Sequence, residues 1–273
     1  MKSETLRVAA VQLQSQDDLA QNLAACARLV EQAGLAGAQL VLLPENFAYF
    51  GAEDGKRALA ERLGHAGAPI QRALAEMART AGVFLVAGGF PEASEDAARP
   101  FNTALVYGPD GALVDSYRKI HLFDVALQDG TSLSESSGTS AGEALSTFDI
   151  GRFRVGLSIC YDLRFPELYR ALVTRGANVL LVPSAFTLHT GKDHWHPLLR
   201  ARAIESQAYV IAAAQWGKHP RGRVTYGHSL IVDPWGTVIA EASDKVGVAC
   251  ADLDLAYLEQ VRAAVPCLTH RRL

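Results

Sequence analysis

The sequence predicts an α/β fold in a single domain spanning residues 1–273. Two sheets pack face to face with helices outside, giving a four-layer α-β-β-α sandwich. Three observations lead there. Short apolar strand patterns alternate with helical patterns from end to end, and no Pro-, Gly- or Ser-rich linker divides them. The chain also echoes itself: "AGAQLVLLPENF" resembles "RGANVLLVPSAF", and "ALVYGPDGALV" resembles "SLIVDPWGTVI". Two similar halves suit two similar layers. Finally, 273 residues at 49% hydrophobic content are enough to fill a sizeable core.

The elements follow in order. Residues 6–13 alternate apolar and polar and read as a strand; 19–33 have helical spacing that stops near Gly34. A short apolar strand, 39–43, ends at Pro44, a helix covers 70–81 up to Gly82, and 83–89 is again a strand. Two hairpins are marked by turn sequences: 104–107 and 112–117 around "GPDG", and 229–232 and 237–240 around "DPWG". Between them come strands 148–150 and 153–159, a helix at 166–174 opened by Pro166, strand 179–182, a helix around 196–206, and strand 209–213. The stretch 131–142, rich in Ser, Thr and Gly, reads as the one long loop.

Several classes of function are excluded at this level. A formal net charge of −3 gives no electrostatic case for nucleic acid or an anionic membrane. No apolar run approaches the roughly 20 residues that span a bilayer, and "MKSETLRVAAVQLQ" enters a strand pattern without a signal-peptide core. Cys26, Cys160, Cys250 and Cys267 are scattered with no C-x-x-C pair, which predicts a reducing, cytoplasmic setting rather than a disulfide framework. "HTGKDHWH" holds His189, His194 and His196 but no H-E-x-x-H, and residues two apart splay on a helix, so no metal is expected. No glycine-rich phosphate motif follows any strand, and no cofactor is expected.

Three groups sit where α/β folds collect their sites, beyond the carboxyl ends of strands. Glu45 follows "LVLLP", Lys119 closes "VDSYRK", and Cys160 ends "VGLSIC". Taken singly, each has a plain reading: Glu45 as a solvated loop carboxylate, Lys119 as a surface lysine, Cys160 as a packed thiol. Taken together they are chemically coherent. A free thiol is only a few per cent thiolate at neutral pH, so a carboxylate able to accept its proton and an ammonium able to stabilise an oxyanion supply what attack on a carbonyl or nitrile carbon needs. The backbone N–H of Tyr161, in the turn after Cys160, is a further oxyanion donor. The product of attack is a thioester that water cleaves.

The wording around these residues decides between the readings. "LLPENF", "YRKIHLFD" and "GLSICYDLRFPELYR" resemble, in order, the three motifs of the nitrilase (carbon–nitrogen hydrolase) superfamily. The similarity runs from "RVAAVQL" to "ADLDLAYLEQVRAAVP", nearly the whole chain. The resemblance implies the nitrilase-like α-β-β-α sandwich, Glu45 as general base, Lys119 as oxyanion stabiliser and Cys160 as nucleophile. It implies a second glutamate after the lysine motif, for which "TSLSESSGT" offers Glu135 although that loop departs from the common pattern. It also implies a homodimer or a larger homo-oligomer. Within the superfamily, "RARAIESQAYVIAAAQWGKH" followed by "YGHS" is similar to the branch acting on deaminated glutathione rather than on 2-oxoglutaramate.

Both of those amides carry carboxylates, which call for cationic or N–H donors. Arg164 is the nearest in sequence; Arg221 and Arg223 in "HPRGRVTYGHS" serve equally well as binding groups or as a solvated loop. Tyr49, Tyr161, Phe165 and Phe186 are expected as pocket walls, with Thr187 facing the same space. The expected partner is thus a small-molecule amide, with no nucleic acid and no membrane. The competing functions are an ω-amidase, nitrilase or carbamoylase on the same residues, and a non-catalytic binding protein on the same scaffold.

Overall fold

The computed structural model describes residues 4–65, 67–126 and 132–272. In chain order the strands are β1 (Thr5–Gln12), β2 (Leu40–Leu43), β3 (Phe84–Glu92), β4 (Phe101–Tyr107), β5 (Leu113–Arg118), β6 (Asp124–Ala126), β7 (Ser132–Ser134), β8 (Thr147–Ile150), β9 (Phe153–Leu157), β10 (Val179–Leu181), β11 (Tyr209–Ala212), β12 (Trp216–Lys218), β13 (Val224–Tyr226), β14 (Leu230–Val232), β15 (Val238–Glu241) and β16 (Gly247–Asp254). The helices are α1 (Leu19–Leu35), α2 (Glu53–Ala58), α3 (Pro69–Ala81), α4 (Pro166–Thr174), α5 (Leu188–Ser206), α6 (Leu255–Ala264) and α7 (Cys267–His270).

Two six-stranded sheets dominate, in the orders β16-β1-β2-β3-β4-β5 and β8-β9-β10-β11-β14-β15. The internal echo is structural. In each sheet an antiparallel strand leads into three parallel strands, and two further antiparallel strands complete the edge. Strand alternation then builds the layers. In β1, Val8 and Ala10 join the apolar cluster shared with the second sheet, while Ala9 and Val11 face the cluster under α1 and α3. α4 and α5 cover the outer face of the second sheet, and the order is α-β-β-α as the sequence predicts.

Local rules fix the helices. α1 is capped by Asp18, which accepts from the Gln21 N–H at 3.0 Å, and buries Asn22, Cys26, Leu29, Val30 and Ala33 at three- and four-residue spacing. α3 opens on Pro69 and stops where Gly82 turns left-handed at φ 65°. The helix expected around 196–206 is longer: α5 begins at Leu188, and Pro197 lies inside it. Proline is favoured in a first turn, which is why the pattern suggested a start there. The true start is at Thr187, whose hydroxyl accepts from the Thr190 N–H at 3.3 Å. Trp195 and Leu199 are both fully buried on either side of the proline. At about 1.5–3 kcal/mol each, their burial offsets the roughly 3 kcal/mol cost of a mid-helix proline.

The long loop expected at 131–142 is likewise partly ordered, and Thr131 lies outside the described residues. β7 pairs with β6, and a 3-10 turn follows at Glu135–Ser137. A second small hairpin, β12–β13, and the closing strand β16 lie outside the elements expected from the sequence. Among the described residues, no helix is long and apolar enough to cross a membrane.

Candidate active site

Pro44 follows β2 directly and Pro183 comes two residues after β10, and Gly88 of β3 packs against both strand ends. Beyond Pro44 the chain turns through Asn46, left-handed at φ 59°, whose N–H donates to the Gly89 carbonyl at 3.3 Å. The Glu45 carbonyl accepts from Gln215 Nε2 at 3.0 Å. The Glu45 side chain is thereby aimed inward and is 4% exposed. Beyond β9, Cys160 is 7% exposed and left-handed at φ 49°, a conformation costing a non-glycine residue roughly 1–2 kcal/mol. Its N–H donates to the Pro183 carbonyl at 2.9 Å, which holds the turn in place. Lys119, immediately after β5, is 2% exposed, and its N–H donates to the Asn102 carbonyl at 2.8 Å.

These three side chains and Glu135 converge. Lys119 Nζ lies 2.9 Å from Glu45 Oε1 and 3.0 and 2.8 Å from the two oxygens of Glu135. Glu135 also accepts the Phe123 N–H at 2.7 Å, which fixes its carboxylate. The Glu45 carboxylate and the Ala185 backbone both act on the Cys160 thiol, the first raising its pKa and the second lowering it. The sequence reading missed Asn102, whose Nδ2 bridges Glu45 Oε1 at 2.9 Å and Glu135 Oε1 at 3.1 Å. A signal for the crowding was present: "AGGF" puts two glycines inside a strand pattern. A Cβ on Gly89, at φ 77°, would meet Asn102 Oδ1 at 2.5 Å and Glu45 Cγ at 3.0 Å; one on Gly88 would meet Pro183 Cβ at 2.0 Å. β3 shifts register at this point.

The electrostatics assign protonation states. Burial works against the Lys119 ammonium, but Glu135 and Glu45 outweigh it and hold the pKa well above the ordinary lysine value. Burial would likewise raise the Glu135 carboxyl, yet Lys119 and then Lys56 hold it well below the usual range. Cys160 moves the other way: burial, then the Glu45 charge, push its thiol well above the ordinary value, against the pull of Lys119 and the Ala185 backbone. Burial and the neighbouring carboxylate thus favour the neutral thiol over the thiolate. The Lys119 ammonium does favour the thiolate, but dehydration and Glu45 outweigh it.

Above this floor lies a cavity of about 840 Å³. Tyr49, Tyr161, Arg164, Phe186 and Thr187 line it as the sequence suggested, and so do Arg221 and Arg223. Phe165 is not among the lining residues: its ring stacks on His121, centroids 3.7 Å apart, because His121 is itself held by Asp162 at 2.7 Å. Asp162, fully buried, also accepts from Tyr117 at 2.7 Å and the Ile159 N–H at 2.8 Å, so it braces the turn that carries Cys160. Lys56 and Lys192, which the sequence did not single out, join the wall. Of the ionised residues lining the cavity, six are cationic and three acidic, in a chain whose net charge is −3. The positive charge is local to the pocket.

His194 and His196 of "HTGKDHWH" turn to different partners. His194 Nδ1 meets Arg164 at 3.3 Å, and His196 turns to Glu241 at 2.9 Å.

A carboxylate on a buried thiol, beside a fixed ammonium, is equipped for acyl transfer, and comparison with known proteins agrees. The carbon–nitrogen hydrolase family profile matches residues 7–263. The chain belongs to that family. It is thus a hydrolase acting on carbon–nitrogen bonds other than peptide bonds. A deaminated glutathione amidase of Synechocystis sp. is 46% identical over 266 residues, covering 96% of this chain and 97% of the relative. An omega-amidase of Mus musculus is 39% identical over 274 residues, 98% of this chain and 95% of the relative. Among solved structures, the C. elegans NitFhit protein superposes on this carbon–nitrogen hydrolase with a TM-score of 0.92 at 41% identity, over 100% of this chain and 66% of that one.

Proposed function

We propose that this protein is a cysteine-dependent amidase whose substrate is deaminated glutathione, cleaved to 2-oxoglutarate and Cys-Gly. The observation that carries the reading is the convergence of Glu45, Lys119, Glu135 and Cys160 under a cavity rimmed by Lys56, Arg164, Lys192, Arg221 and Arg223. The substrate has a carboxylate at each end, and a rim with separated cations suits it better than it suits a substrate charged at one end. The branch similarity in "RARAIESQAYVIAAAQWGKH" points the same way.

In this mechanism Cys160 Sγ attacks the amide carbon as Glu45 takes the thiol proton. The negative charge that develops on the carbonyl oxygen is met by Lys119 and by the Tyr161 N–H. That N–H leads a 3-10 turn, Cys160–Arg164, ahead of its first internal acceptor. The carbon–nitrogen bond then breaks and Glu45 returns the proton to the leaving amine. Water, deprotonated by Glu45, cleaves the thioester and restores the thiol, with 2-oxoglutarate leaving as the acid. Glu135 and Asn102 act by position: they hold Lys119 and Glu45 at the geometry the steps require. The four free cysteines suit a reducing cytoplasmic compartment, and a homodimer or larger homo-oligomer belongs to the same proposal, read by sedimentation velocity, where a monomer at working concentration removes it.

The test is a panel of deaminated glutathione, 2-oxoglutaramate, an aliphatic nitrile and an N-carbamoyl amino acid, compared by kcat/KM. Deaminated glutathione is expected to lead. A wide lead for 2-oxoglutaramate overturns the substrate, and Cys-Gly release at the parental rate by Cys160→Ala overturns the mechanism.

A further inference from the structure

Behind the wall of the pocket lies a second group of polar side chains that the amidase reading does not use. β13 separates the two: Thr225 lines the pocket, while the next residue, Tyr226, stacks on His228 with ring centroids 4.5 Å apart. His228 Nδ1 lies 2.7 Å from Glu241 Oε1, and His196 Nε2 lies 2.9 Å from the same oxygen. One donor atom from each of His196, His228 and Glu241 falls within 4.8 Å of the others. These residues come from α5, the β13–β14 connection and the end of β15, so no sequence spacing announces them.

We propose that His196, His228 and Glu241 form a binding site for a divalent first-row transition ion, zinc being the reference case. Two imidazoles and one carboxylate are the nitrogen–oxygen set that such ions take, leaving a coordination position open. Bonds of about 2.0–2.1 Å in a tetrahedral arrangement put neighbouring ligand atoms roughly 3.3 Å apart. The observed 2.7 and 2.9 Å therefore require the Glu241 carboxylate to retreat by about half an ångström, and its side chain, 34% exposed, has room to do so.

The imidazoles are already held. Fully buried Trp195, next to His196 on α5, donates its indole N–H to the His228 carbonyl at 2.8 Å. That contact steadies His228 in a left-handed conformation at φ 60° and ties the two histidine-bearing segments together. The other ring nitrogen of His228 faces Asp244 at 3.3 Å. A carboxylate on the far nitrogen fixes the tautomer that offers Nδ1 to an ion, the arrangement found behind metal-bound histidines. The ion would pin α5 to the β14–β15 hairpin, outside the reaction itself.

The test titrates the full-length, metal-stripped protein with Zn2+ by calorimetry and with Co2+ by visible absorption. One equivalent is expected to bind, with cobalt bands free of thiolate-to-metal charge transfer, which sets this site apart from any at the four cysteines. His196→Ala and His228→Ala are expected to abolish those bands while amide turnover shows the fold intact. Asp244→Asn, which leaves all three ligands in place, is expected to weaken binding about tenfold. Cobalt bands of thiolate character, binding unchanged in both histidine variants, or no binding at all overturns the proposal.

Discussion

The floor and the rim of the cavity are built on opposite principles. At the floor, Glu45, Lys119, Cys160 and Asn102 are buried, each is held by at least one hydrogen bond from a strand end or turn, and two carboxylates share one ammonium. At the rim, cations stand on the 3-10 turn after Cys160, on α2, on the first turns of α5 and in the β12–β13 hairpin, with aromatic rings, a histidine or an acid as partners. Arg164 lies over Phe186 at 5.3 Å, and Arg223 lies over Phe50 at 5.6 Å and 3.7 Å from Glu53. The floor spends its contacts on geometry and the rim leaves its charges available. On the proposed function, chemistry and specificity are thus physically separable.

One set of variants in one assay can break that comparison. Cys160→Ala should lower kcat by at least about 10⁴-fold, since no other group supplies the nucleophile. Glu45→Gln should follow at about 10²- to 10⁴-fold, again in kcat, because the proton has nowhere to go. Arg223→Ala and Lys192→Ala should act on KM instead, by roughly 10- to 100-fold for a lost charged contact, with kcat little changed. Should the rim variants lower kcat as much as Glu45→Gln does, the division fails.

The smallest effect sharpens the floor. Glu135 is held below its ordinary pKa by Lys119, so its contribution to stability is present above the unfolded value of 4.5 and is lost as pH falls through the folded value. Lys119 is held above its ordinary value, so its share is present below 10.5 and is lost only as pH rises through the folded value. The cluster is therefore intact across neutral pH. Following Tm against pH, the parent should lose stability below about pH 4.5 more steeply than Glu135→Gln. Parallel curves would falsify the pairing as a source of acid sensitivity.

Glu45, Lys119 and Cys160 on the floor and Arg164, Arg221 and Arg223 on the rim were named from the sequence, whereas Asn102, Lys56 and Lys192 were not, for a physical reason. Glu45, Lys119 and Cys160 each follow a strand whose apolar pattern is strong, so chain position fixes their place in space. Asn102 sits inside β4 and reaches the site only because Pro91 pairs with it across a β3 register shift, which no local pattern reports. Lys192 lies on a helical turn hidden by the misleading start signal of Pro197. Lys56 depends on where a six-residue helix without a side-chain cap comes to rest. Phe165 was aromatic and adjacent, but its ring answered to His121 rather than to the cavity. The four-layer order was legible because it rests on alternation and repetition, which are properties of the whole chain.

The placement of β16 bears on how the molecule comes into being. β1 is made long before β16, yet its outer edge pairs with that strand, residue for residue from Thr5 with Asp254 to Gln12 with Gly247. Until those residues leave the ribosome, β1 presents an open row of N–H and C=O groups over eight residues, an edge of the kind that recruits other chains. The first sheet is begun at β1 and sealed only by β16, and the nascent chain must shelter that edge in between.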